Sequence, residues 1–163
     1  MSDILRFLGI ALVLASSAVF SAEYKKHLDR RMAVCEGFFL LLTHIRTRID
    51  CYLTPAASLL SGFENSVLEA CGYIEEAKKN GIATAYFLME NRLGLPKEVR
   101  VILSDFFSSF GKEYKEGTIR ELSTVISVMD GLISREREEC EKSLKIARIL
   151  AVSAALAVAI LII

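Results

Sequence analysis

The apolar positions of this chain recur at the spacing of an α-helix. From Leu28 to Leu53 they follow steps of three and four residues, which keeps them on one face of a helix. No proline interrupts this stretch or the apolar residues before it, so we expect one long helix from Ile4 to Leu53. Pro55 ends the pattern, because the residue before a proline resists the helical conformation.

A second helix is predicted to follow directly. Thr54 and Pro55 suit its N-terminal cap and first position. Apolar residues then continue at helical spacing, and the sequence leaves open a break at Gly62 or Asn65. Gly81 marks the expected end of this region, since glycine commonly follows the last turn of a helix.

Two further short helices are expected before the last one. The first covers residues 82–93 and the second follows Pro96 and ends at Gly111. The second carries a tight apolar stripe that includes Phe106 and Phe107. A stripe of this kind normally faces a protein core, so we expect both phenylalanines to be buried.

The final helix has a capping-box pattern at its start. Thr118 and Glu121 stand at the spacing at which a cap residue and a carboxylate satisfy each other's backbone donors. Apolar residues then recur at helical spacing, and no glycine or proline after Gly131 stops the helix before the C-terminal apolar segment. The sequence therefore predicts an all-α fold: an antiparallel helical bundle with N- and C-terminal transmembrane helices continuous with the first and last bundle helices.

Both ends of the sequence are almost free of charge. Residues 4–22 contain one charged residue, Arg6, and would extend ~28 Å as a helix, close to the ~30 Å hydrocarbon core of a bilayer. Residues 146–163 contain only Arg148 and would extend ~27 Å. The alternatives are a cleaved signal peptide and a buried C-terminal helix. We predict anchors at 1–22 and 146–163, with a helical bundle at 23–145 between them.

Basic residues flank both predicted anchors on their inner sides. Lys25 and Lys26 follow the first anchor and resemble a stop-transfer flank, which argues against a signal peptide. Lys145 precedes the second anchor. By the positive-inside rule, both flanks place the central bundle in the cytoplasm and both termini outside. The residues expected at the membrane interface are Arg6, Lys25, Lys26, Lys145 and Arg148.

Composition and motifs argue against nucleic-acid binding and catalysis. The formal net charge is zero, whereas nucleic-acid binding usually requires a basic surface. His27 and His44 do not share a helix face, so no metal site is expected from them. The four cysteines match no zinc spacing. Cys35, Cys71 and Cys140 lie on the apolar faces of their helices and are expected to be small buried residues, although the sequence leaves disulfides open. We expect no enzyme activity and no cofactor.

Several short motifs, in their order and spacing, resemble a known family. They are Arg30-Arg31-Met32 with Glu36, Tyr52-Leu53-Thr54-Pro55, and the Phe110-Gly111 corner before the last helix. The layout is similar to that of the stage III sporulation protein AB family of endospore-forming bacteria. The soluble part of that family resembles the cytoplasmic helical domain of platform protein F of type II secretion and type IV pilus machines.

The resemblance implies a structural platform subunit in a secretion-like channel complex between mother cell and forespore. The implied location is the mother-cell membrane facing the forespore. The implied partners are a cytoplasmic secretion-type ATPase and other membrane proteins of the same complex; self-association is left open. Exposed charges of the short helices, Lys97, Glu98 and Arg100, are the predicted docking residues. The alternatives are a membrane-tethered helical regulator or receptor and, more remotely, a thiol enzyme at the membrane.

Overall fold

The structure is a computed structural model. It describes the backbone of residues 2–52, 58–112 and 115–162, and the side chains at 19, 22–50, 58–112, 115–147, 149–150 and 152–154. Its helices are α1 (Ser2–Tyr52), α2 (Ser66–Ala70), α3 (Tyr73–Asn80), α4 (Ile82–Met89), α5 (Lys97–Ser109) and α6 (Lys115–Ile162). No strand occurs in the described residues, and the predicted all-α bundle is confirmed at this level.

The chain divides into two compact units. One unit comprises residues 31–135 and contains the aromatic and aliphatic core. The other groups residues 1–30 with residues 136–163, and its described backbone is helical at every position. The predicted anchors fall in this second unit, and most of their side chains lie outside the described residues.

Helix α1 confirms the predicted long first helix, and Leu28, Cys35, Leu42 and Ile45 of the predicted apolar stripe are buried. The core face differs from the prediction only around residues 38–41. Phe38 and Leu41 are fully buried, whereas Phe39 is only half-buried and Leu40 is exposed. The difference arises because residues 38–42 are all apolar, so hydrophobic spacing alone does not fix which of them point inward.

The segment after α1 is more broken than predicted. The expected start at Thr54 and Pro55 lies outside the described residues. Residues 58–62 form turns and residues 63–65 have no regular secondary structure. Helix α2 begins only after Asn65, whose side-chain oxygen accepts a hydrogen bond from the Leu68 amide at 3.0 Å. A second interruption at Gly72 separates α2 from α3, because Gly72 adopts a left-handed conformation with φ of +80°.

The start of α6 corrects the capping-box prediction. The helix begins at Lys115, so Thr118 lies inside its first turns and is buried instead of capping the N-terminus. The Lys115 ammonium donates a hydrogen bond to the Asp50 carbonyl at 3.0 Å. This contact with the end of α1 accompanies an earlier start of α6 than the local sequence pattern indicates.

Aromatic side chains join four helices in the core of the 31–135 unit. The Phe38 ring of α1 packs edge-on against two tyrosine rings. The distance between ring centroids is 4.8 Å to Tyr73 of α3 and 6.0 Å to Tyr86 of α4. The centroid of the Tyr86 ring in turn lies 4.9 Å from that of Phe107 of α5. Phe106 and Phe107 are both buried, which confirms their prediction as core residues. The aromatic contacts fix how α4 and α5 sit against the rest of the bundle.

Candidate interaction surface

The first turn of α5 carries the three predicted docking residues, and they are not equivalent. Lys97 is exposed. The Glu98 carboxylate accepts two hydrogen bonds from the Arg135 guanidinium of α6, both at 2.9 Å. Arg100 is half-buried, with its Nε 3.9 Å from a carboxylate oxygen of Glu90. An intramolecular role therefore already engages two of the three residues.

Tyr86 connects this turn of α5 to α4. Its hydroxyl donates a hydrogen bond to the Arg100 carbonyl at 2.9 Å. Burial raises the pKa of the Tyr86 hydroxyl, and the nearby Glu90 carboxylate raises it further, while Arg100 opposes the shift. The phenol thus stays protonated and remains a hydrogen-bond donor. Its bond holds the first turn of α5 beside the second half of α4.

The outer face of α4 is unusually apolar for a surface helix. The sequence of α4, Ile82–Met89, contains no charged residue. Its inner face is buried, yet Phe87 is 45% exposed and Leu88 is 61% exposed. Val101 on α5 is 50% exposed and follows the residue that binds Tyr86. We call the set Phe87, Leu88 and Val101 the α4 patch.

Charged residues stand at both ends of α4. Lys78 precedes it at the end of α3, Arg92 follows it in the turn that leads to α5, and Lys97 is the first residue of α5. All three are exposed, and within the described part of the chain none of them has a salt bridge. Acidic residues stand at the same two ends, with Glu76 before α4 and Glu90 after it, so both ends of the helix carry charges of both signs.

A polar groove of about 600 Å³ lies next to α2. It is lined by residues 60–66 together with Glu69 and Lys78. Carboxylates and a lysine share this lining, so its chemistry selects no single class of ligand. The Arg48 guanidinium donates a hydrogen bond to the Ser61 carbonyl at 2.6 Å and holds the turn that forms one wall.

The residues expected at a membrane interface are described only in part. Lys25, Lys26 and Lys145 are exposed, whereas the side chains of Arg6 and Arg148 lie outside the described residues. Large apolar side chains near the second predicted anchor are also exposed: Ile146, Ile149, Leu150 and Val152. Within the described residues, no helix combines the length and apolarity required to span a bilayer.

The histidines and cysteines form no cluster in the described residues. His27 is exposed, and the His44 ring packs against Phe63 at 5.3 Å, as expected for a packed histidine. Cys35 is buried as predicted, but Cys71 and Cys140 are only half-buried, and Cys51 lies outside the described side chains. Among the described residues, no group of three or more potential ligands is arranged to hold a metal ion.

Sequence reasoning missed the α4 patch and the Glu98–Arg135 pair. The sequence contained a signal for the patch, namely eight consecutive uncharged residues in α4. A helix of this kind cannot bury all of its faces against a small bundle. The sequence contained no signal for the ion pair, because Glu98 and Arg135 are 37 positions apart and meet only through the packing of α5 near α6.

Comparison with known proteins adds one match. No curated protein and no solved structure matches the chain. A family model described as stage III sporulation protein AB matches residues 6–163, nearly the whole sequence. The all-helical fold and the order of short motifs are consistent with that match. The chain therefore belongs to the stage III sporulation protein AB family.

Proposed function

We propose that this sporulation protein is a membrane-anchored platform subunit of a secretion-like channel complex between mother cell and forespore. The observation that carries the proposal is the family match over residues 6–163. Its helical bundle offers surfaces for protein partners, and the described residues contain no cluster suited to metal binding. A structural role in an assembly accounts for these features together.

Membrane attachment through both ends is part of this proposal. Residues 4–22 and 146–163 are nearly uncharged in sequence and long enough as helices for the hydrocarbon core. The exposure of Ile146, Ile149 and Leu150 supports contact with lipid, because such side chains gain ~25 cal/mol for each Å² removed from water. Lys25, Lys26 and Lys145 are exposed at positions suited to phosphate head groups.

The proposed topology places residues 23–145 in the cytoplasm and both termini outside. Four basic residues, Lys25, Lys26, Arg30 and Arg31, follow the first anchor, whereas Arg6 is the single base near its start. Five bases between 135 and 148 precede or begin the second anchor. The two flanks are independent and agree under the positive-inside rule. In this topology the bundle can reach a cytoplasmic secretion-type ATPase, which we propose as its partner.

Reporter insertion tests the topology. A fluorescent protein that matures only in the cytoplasm, inserted after Lys112, should fluoresce. Alkaline phosphatase fused after Ile163 should be active, because that enzyme requires an oxidising exterior. Exchanging the two reporters is the matched control and should silence both. The opposite pair of results would exclude contact between the bundle and a cytoplasmic ATPase.

Direct binding tests the partner. The full chain in lipid nanodiscs should bind the purified secretion-type ATPase of the same organism, and empty nanodiscs should not. Charge reversal at Lys97 should weaken this binding, because Lys97 is the one predicted docking residue that has no salt bridge within the described part of the chain. Absence of binding to the wild-type chain would refute the proposed ATPase docking.

A further inference from the structure

We draw no further inference here: the strongest candidate, the exposed apolar face of α4 at Phe87 and Leu88, has charges of both signs at its two ends, and nothing in the structure shows what covers it.

Discussion

Replacement of Gly37 by alanine should destabilise the bundle, although alanine is the better helix former. Gly37 lies within α1 where α2 approaches it closely. A methyl group built there would lie 3.0 Å from Cγ of Leu68 and 3.2 Å from Oδ1 of Asn65. Leu68 is fully buried, and the same Asn65 oxygen caps α2. Neither atom can move away without loosening a contact that holds α2.

The magnitude follows from three opposing effects. Helix propensity favours alanine over glycine by ~1 kcal/mol. Overpacking a filled core site costs ~1–3 kcal/mol, and weakening the Asn65 cap costs ~1 kcal/mol. The two losses together exceed the gain, so we expect the free energy of unfolding to fall by ~1–3 kcal/mol.

Gly131→Ala provides the matched control. Gly131 also lies inside a helix, but nothing approaches within 4 Å of its added methyl group. Its replacement should raise the free energy of unfolding by up to ~1 kcal/mol. Urea denaturation of the fragment 23–145, followed by circular dichroism, measures both variants. If Gly37→Ala stabilised the fragment as much as Gly131→Ala does, the close approach of α2 to α1 would be wrong.

The remaining predictions concern the core and the isolated bundle. Phe107→Ala should cost ~3–5 kcal/mol in thermal or urea denaturation. Phe87→Ala should cost less, ~1 kcal/mol, because Phe87 is 45% exposed and packs only in part against Tyr86; a loss at Phe107 no larger than the loss at Phe87 would mean that the inward face of α5 is wrongly assigned. Burial raises the pKa of Tyr73 and Tyr86 above the ordinary value of about 10, so the unfolded chain releases these protons first. Stability is therefore fully present below about pH 10 and should fall above it, and phenolate absorbance should show both groups ionising only on unfolding. The fragment 23–145 should fold without the terminal segments and give a strongly helical circular dichroism spectrum, since it contains the whole 31–135 unit; a coil-like spectrum would contradict the bundle as an independent fold.

The parts of the fold that depend only on the spacing of neighbouring residues could be predicted from the sequence. The buried residues of α5 recur at the three- and four-residue steps of one helix face, from Val99 through Leu103 to Phe106 and Phe107, so the burial of both phenylalanines followed from spacing. In α1 the run of apolar residues at 38–42 hides such spacing. Only packing against Tyr73 and Tyr86 selects Phe38 over Phe39 as a core residue.

The features that were not predicted depend on distant partners. The local pattern favoured Thr118 as a helix cap, but the contact of Lys115 with the end of α1 accompanies an earlier start. Glu98 was predicted to be a docking charge, whereas its carboxylate binds Arg135. Exposed ion pairs of this kind contribute at most ~1 kcal/mol to stability. A basic group of a partner protein could therefore replace Arg135 at Glu98 with little loss of stability.

The positions of the core residues along the chain also determine when, during synthesis, the bundle can complete its folding. Core residues 34–45 of α1 pack in one cluster with residues 122–129 of α6. On the ribosome, the helices from α1 to α5 emerge before α6 and leave apolar surface uncovered until α6 follows. Within the 31–135 unit, the segment that completes the core is thus the last to leave the exit tunnel. We expect nascent chains that stop before residue 122 to be bound by chaperones or degraded, and never to assemble with other proteins.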